Sequence, residues 1–210
     1  MSTHSLWTMV PRSLVAAAAL MTSVACGSEM LRTGRSPVYL IVTGIEAGSD
    51  NGAILRSDVQ VLVDPPSGGS STAKIPTVFD DVAVATIQVE QKNTTDTGSS
   101  STLNTVTINR YHVEYRRADG RNTPGVDVPY GFDGGTAASI PPNGSGTVSF
   151  QVVRHSGKLE PPLKNLANLG GQGFIATIAE VTFYGHDQNG NEVSVTARMD
   201  VMFGDFGDEL

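Results

Sequence analysis

Apolar and polar residues alternate most regularly near the carboxyl end of the chain. Val193, Val195, Ala197, Met199, Val201 and Phe203 alternate there with Glu192, Ser194, Thr196, Arg198, Asp200 and Met202. A period of two places each set on its own face of an extended chain, which is the mark of a half-buried antiparallel strand. The limb before it puts Ile175, Ala179, Val181 and Phe183 on one face, and Asn189-Gly190 lies between the two limbs. That dipeptide favours the positive φ angles of a type I′ turn, so the stretch predicts a long β-hairpin. Its apolar side is too broad to face water and calls for a second sheet.

The same reading carried along the chain predicts further strands. Pro37 opens the run VYLIVTGI, which suits a strand covered on both faces, and Ser57 to Val63 reads as the next. Ala83, Ala85, Ile87 and Val89 share a face of Val82–Glu90, as do Val148, Phe150 and Val152 within Gly146–Arg154. Between Leu103 and Arg117 the phase changes: Val106 and Ile108 lie on one parity, Tyr111, Val113 and Tyr115 on the other. A regular strand would expose one of these groups, so a β-bulge or bend is expected at Asn109–Arg110. Asp50-Asn51-Gly52, Asp64–Ser71 and Gln91–Thr102 read as turn or loop, and Asn122–Asn143 as a long irregular segment. Leu159–Leu169 allows one helical turn after Pro162. About seven strands with long polar connections predict an all-β, antiparallel immunoglobulin/fibronectin III-like β-sandwich.

Composition adds a division of the chain. The 210 residues include 23 Gly and 11 Pro, which fits one turn-rich domain. Arg12 precedes the apolar run Leu14–Met21, which is too short to span a bilayer and reads as the core of a signal peptide. Met9, followed by Val-Pro-Arg, would make a more ordinary start than Met1. Residues 1–25 are accordingly expected to be the signal peptide, residues 26–36 a flexible tether, and residues 37–210 the β-sandwich. Cys26 is the only cysteine, which excludes an internal disulfide. Removal of residues 1–25 would leave 13 basic against 21 acidic residues, a net charge of −8 that disfavours nucleic acid.

Several stretches resemble known families. Ser23-Val24-Ala25-Cys26 resembles the lipobox of bacterial lipoproteins, although Ser23 stands where that pattern usually has Leu. The resemblance implies that Cys26 is lipidated and becomes the mature amino terminus; the alternative is a plain secretory signal with an incidental cysteine. YHVEYRRADG (Tyr111–Gly120) is similar to the third strand of a fibronectin type III module, and IATIAEVTFYGHDQNGNEVSV to the final hairpin of bacterial Ig-like modules. No tryptophan stands in the expected core strand, since the only one is Trp7. With phrases such as YRRADGRNTPGVDVPY, the chain also resembles a group of uncharacterised exported bacterial lipoproteins, which implies a place in the cell envelope.

The chemistry-bearing residues form no recognised catalytic motif. Asp187, Asn189, Asn191 and Glu192 alternate like calcium ligands, yet Gly190 falls where a turn needs it and not where an EF-hand does. His112, His155 and His186 lack metal-ligand spacing, no Gly-x-Ser-x-Gly occurs, and neither metal, cofactor nor catalytic residue is expected. Arg116, Arg117 and Arg121 flank Asp119-Gly120, with Tyr130 beyond them, and Arg and Tyr dominate recognition surfaces. These four are the candidate ligand-binding residues; the bland alternative is a solvated basic loop. The expectation is a lipid-anchored, non-enzymatic binding or structural module, held to the membrane by its lipid and facing an envelope protein or carbohydrate. An accessory subunit or small hydrolase of polysaccharide metabolism is the alternative.

Overall fold

The computed structural model describes residues 34–47, 54–66, 73–92, 101–169 and 172–206. The expected signal peptide, Cys26 and most of the tether lie outside these, as do the Asn51 turn and residues 67–72 and 93–100. Ten strands follow one another among the described residues: β1 (Val38–Ala47), β2 (Ile54–Asp58), β3 (Val61–Val63), β4 (Ile75–Thr77), β5 (Asp81–Gln91), β6 (Val106–Arg116), β7 (Phe132–Ile140), β8 (Ser145–Val153), β9 (Phe174–Asp187) and β10 (Glu192–Gly204). The one-turn helix α1 (His155–Lys158) and 3-10 turns at Thr102–Asn104 and Leu163–Leu166 complete the list, the last where Pro162 was expected to start a helical turn. The chain is all-β. Three strands form one sheet in the order β1-β5-β8, five form a second in the order β2-β10-β9-β6-β7, and β3 pairs with β4.

The two large sheets share one core. Ala83, Ala85, Ile87 and Val89 of β5 are buried, as are Val148, Phe150 and Val152 of β8, in agreement with their alternation. Phe150 reaches across to the other sheet, where its ring lies 5.6 Å from Tyr111 and 5.1 Å from Phe183, both edge-on. The Tyr115 hydroxyl of β6 donates to the Val152 carbonyl of β8 at 2.5 Å. Burial is the main reason the Tyr115 phenol is pushed well above its ordinary range, and it stays a neutral donor. The phase change in β6 is a bulge at the expected place: its pairing with both β7 and β9 shifts between Ile108 and Arg110. That extra residue lets Val106 and Ile108 share the core with Tyr111, Val113 and Tyr115.

Five expectations need correction. The hairpin β9–β10 forms, but its turn is not type I′, because Asn189 does not take a positive φ and Gly190 does, at 79°. Asp187 N donates to Asn191 O at 3.0 Å and Gly190 N to Asp187 O at 2.9 Å, which closes a three-residue loop ending in a left-handed glycine. The Asp187 carboxylate imposes this by accepting from the amides of Asn189 and Asn191, both at 2.9 Å. Second, β1 is covered on one face only, and Tyr39 and Ile41 are exposed on the other. Third, Ser57–Val63 is not one strand; Asp58 Oδ1 accepts from Gln60 N at 3.3 Å and turns the chain between β2 and β3. Fourth, the segment read as irregular contains β7, whose small residues (FDGGTAASI) carry little apolar signal. With β4 and the divided second strand, the described residues hold ten strands where about seven were expected.

The register gives the molecule two poles. β6 sets Val106 opposite Asp187 and Arg116 opposite Ile178, while β5 sets Gln91 opposite Val38 and Asp81 opposite Val153. Ser36, at the start of β1, donates from Oγ to Asp187 Oδ2 at 3.1 Å, so the chain enters the domain beside the hairpin tip. The loop 117–131, Arg154 and α1 lie at the other pole, about 45 Å away along the 14 residues of β9 at roughly 3.3 Å each.

Candidate functional site

The pole opposite the hairpin tip holds all four sequence-predicted binding residues, in three settings. Arg116 lies on the outer face of the five-stranded sheet, bonded to Glu180 at 2.8 Å and Glu114 at 3.1 Å. Glu180 also takes Arg198 at 2.7 Å, and the Arg198 bond is the leading favourable reason its carboxyl sits below the usual carboxylate range. Arg117 and Arg121 both close on Asp119, at 2.6 and 2.9 Å. Those bonds, Arg117 first, hold the Asp119 carboxyl far below its ordinary range. Each of the three guanidinium groups is thus matched by a carboxylate of its own chain. The arginine loop is organised by itself, with Arg117 N donating to Asn122 Oδ1 at 2.6 Å.

Tyr130 is set apart from them, on the rim of a cleft of about 80 Å³. Tyr115, Phe132 and Leu163, all buried, make its apolar floor. Arg154, Ser156 and Glu160 share the rim with Tyr130. Tyr130 is 57% exposed yet positioned: Gly125, at φ 76°, lies so close that a Cβ there would overlap the Tyr130 hydroxyl. The backbone around Gly125 is tied down in turn, with Gly125 N donating to Val128 O at 2.8 Å and Asp127 N to Thr123 O at 2.8 Å. Across the cleft the Arg154 guanidinium lies 4.1 Å above the Phe132 ring centre. Among the described residues no carboxylate pairs with it, whereas Arg110, Arg116, Arg117, Arg121 and Arg198 each have one within 4.0 Å.

The ground under this rim is rigid. Lys158, buried in α1, holds Asp81 Oδ2 at 2.9 Å and the Asp58 carbonyl at 2.7 Å, and Ser57 Oγ donates to the same Asp81 oxygen at 2.6 Å. His155 N donates to Asp80 Oδ1 at 2.6 Å, which is the main reason the Asp80 carboxyl is lowered. These contacts fix the β2, β5 and β8 ends and the turn that carries Arg154, Ser156 and Glu160. Two larger hollows offer less chemistry. One of about 530 Å³ runs between β1 and β10, where the one charged side chain, Arg198, is engaged by Glu180. The other, about 260 Å³ on the outer sheet face, is lined by Ile54, Ile178 and Met202 with Asp200 as its one charged group. Among the described residues no three His, Cys, Asp or Glu side chains gather as a metal site.

Arg154, Ser156 and Glu160 are the rim residues that sequence reading missed. Arg154 merely ends an alternating strand, Glu160 precedes two prolines, and both are more than 20 positions from Tyr130. Only the turn through α1 brings them to the same cleft as Tyr130. No protein-family model and no curated protein matches the chain. A solved structure described as "X-ray structure of Northeast Structural Genomics Consortium target SoR45" is similar over 80% of this chain and 86% of that one, at 12% identity and a TM-score of 0.31, too loosely to carry an argument.

Proposed function

We propose that this chain is an exported, lipid-anchored module of the bacterial cell envelope that binds or scaffolds a partner and does not catalyse a reaction. The observation that carries the reading is the apolar run Leu14–Met21 leading through small residues to the only cysteine, Cys26. Lipidation gives that lone thiol a use in an oxidising compartment, and more than one acyl chain makes a stable anchor where a single chain does not. The domain is of the immunoglobulin or fibronectin type III kind. In its support, β1-β5-β8 and β6-β9-β10 repeat the strand orders A-B-E and C-F-G of that sandwich, with β2 running parallel beside β10.

The poles give the anchored module an orientation. Residues 27–36 span about 33 Å when fully extended, and they join the domain beside the hairpin tip. The loop 117–131 and the Tyr130–Arg154 cleft then face away from the membrane, where loops on a rigid scaffold meet partners. An envelope protein or carbohydrate is the partner this acidic surface favours, and nucleic acid is disfavoured. Glycoside hydrolysis draws little support, because it uses two facing carboxyl groups and Glu160 is the one carboxylate lining the cleft. Cell fractionation with fatty-acid labelling tests the anchor. The wild-type chain is expected in the membrane fraction and labelled, and Cys26→Ser soluble and unlabelled. An unlabelled, soluble wild type would sink the reading.

A further inference from the structure

We infer that the cleft between Tyr130 and Arg154 is a subsite for a carboxylate-bearing sugar, one acidic residue of a saccharide. The inference deepens the binding reading above and needs only that part of it; it does not depend on the lipid anchor.

The argument starts from the odd position of Arg154. Arg110, Arg116, Arg117, Arg121 and Arg198 neutralise carboxylates beside them. Arg154, like Arg56 over Phe206, instead lies over a ring, Phe132 at 4.1 Å, with no carboxylate partner among the described residues, and Arg154 does so on the rim of a cleft. The ring contact holds the guanidinium beside the cleft while no carboxylate of the described residues takes up its N–H groups, and a guanidinium receives a carboxylate in two parallel hydrogen bonds. The cleft below it is small. Its volume is about 80 Å³, several times what a single water needs and room for a carboxylate or hydroxymethyl group.

A ligand seated there also meets the rim, and the rim is specific. Tyr130 offers a ring held by its contact with Gly125, and a flat ring packs against the C–H face of a pyranose. Ser156 and Glu160 add a hydroxyl and a carboxylate, which take hydroxyl groups as hydrogen-bond partners. Glu160 also decides against a phosphate: beside one guanidinium, a second negative charge opposes a dianion more than a monoanion. One cation, one acceptor carboxylate, one hydroxyl and one positioned aromatic ring match a monoanionic, hydroxyl-rich ring. The arginines of loop 117–121 take no part, since their own carboxylates hold them.

Saturation-transfer NMR on the full chain purified in detergent tests this with methyl glucuronide, methyl glucoside and acetate as probes. The wild-type chain is expected to bind the glucuronide at least about tenfold more tightly than either other probe, the ratio a charged bidentate pair supplies. Arg154→Gln should abolish the preference for the glucuronide over the glucoside, Arg154→Lys should keep part of it, and Arg117→Gln should leave it whole. Tyr130→Ala and Gly125→Ala should weaken both sugars, the second by displacing the Tyr130 ring. Circular dichroism checks that each variant is folded, and the Arg154→Lys arm keeps the test decisive if Arg154→Gln is not. Absence of glucuronide binding, equal binding of the two sugars, acetate binding as tightly as the glucuronide, or an unaltered preference in folded Arg154→Gln overturns the assignment. None of these outcomes touches the anchor, which fractionation tests separately.

Discussion

Asp187 at the hairpin tip and Asp119 in the loop of the opposite pole each gather several hydrogen bonds, and the two aspartates contribute differently. Asp187 is buried and accepts from Ser36 Oγ, the amides of Asn189 and Asn191, and Asn191 Nδ2. Asp119 is exposed and accepts more bonds, all from Arg117 and Arg121, two residues to either side. The Asp187 carboxylate is buried, and although its bonds from Asn189 and Asn191 are local, its bond from Ser36, 151 positions earlier, exists only when the chain is folded. The Asp119 clamp is local and wet, and an unfolded chain can form much of it. Counting bonds would rank the two the wrong way round. Desolvation and sequence separation decide what a polar cluster contributes to the fold.

Breaking the polar clusters should expose this ranking. The largest effect is expected at the buried cation of the far pole: Lys158→Ala leaves Asp81 with Ser57 but without its cation and should cost about 3 kcal/mol in urea denaturation. Asp187→Ala should follow at about 2 kcal/mol, because buried Ser36 and the amides of Asn189 and Asn191 lose their acceptor. Gly190→Val should cost roughly 1 to 2 kcal/mol, since a β-branched residue is forced to a φ of 79°. Asp119→Ala should leave the midpoint unchanged within error. A midpoint lowered as far by Asp119→Ala as by Asp187→Ala would refute the contrast.

Acid sharpens it further. Burial raises the Asp187 carboxyl, but the hydrogen bonds from Asn191, Ser36 and Asn189 together outweigh burial, and its folded pKa lies below the ordinary 3.8. A depressed folded pKa contributes stability that is complete above the unfolded value and lost as pH falls through the folded one. Between pH 5 and pH 2 the wild-type urea midpoint should therefore fall more steeply than that of Asp187→Asn. Equal slopes would mean that Asp187 is not a charged acceptor in the folded chain.

What could be read from the sequence follows the same physics. The hairpin, the inward faces of β5 and β8 and the bulge at Asn109–Arg110 were legible, because burial of a sheet face imposes a period of two on the side chains. The strand β7 was not, since Gly134, Gly135, Ala137 and Ala138 carry almost no pattern. The hairpin turn was read from Asn189-Gly190 alone, whereas the deciding group is the Asp187 carboxylate. At the candidate site the sequence shows arginines in a row but not their partners. Asp119, between Arg117 and Arg121, occupies those two, while Arg154 becomes notable only when folding sets it on Phe132 beside Tyr130.

The proposed anchor requires a chain that begins, once processed, at a lipid-bearing Cys26. Intact-mass spectrometry of the protein extracted from membranes tests this most directly. The expected mass is that of residues 26–210 plus a diacylglycerol on Cys26, with the two ester-linked acyl chains lost and the thioether-linked glyceryl group retained on alkaline hydrolysis. A chain that retains residues 1–25, or one that starts elsewhere with Cys26 unmodified, would contradict it.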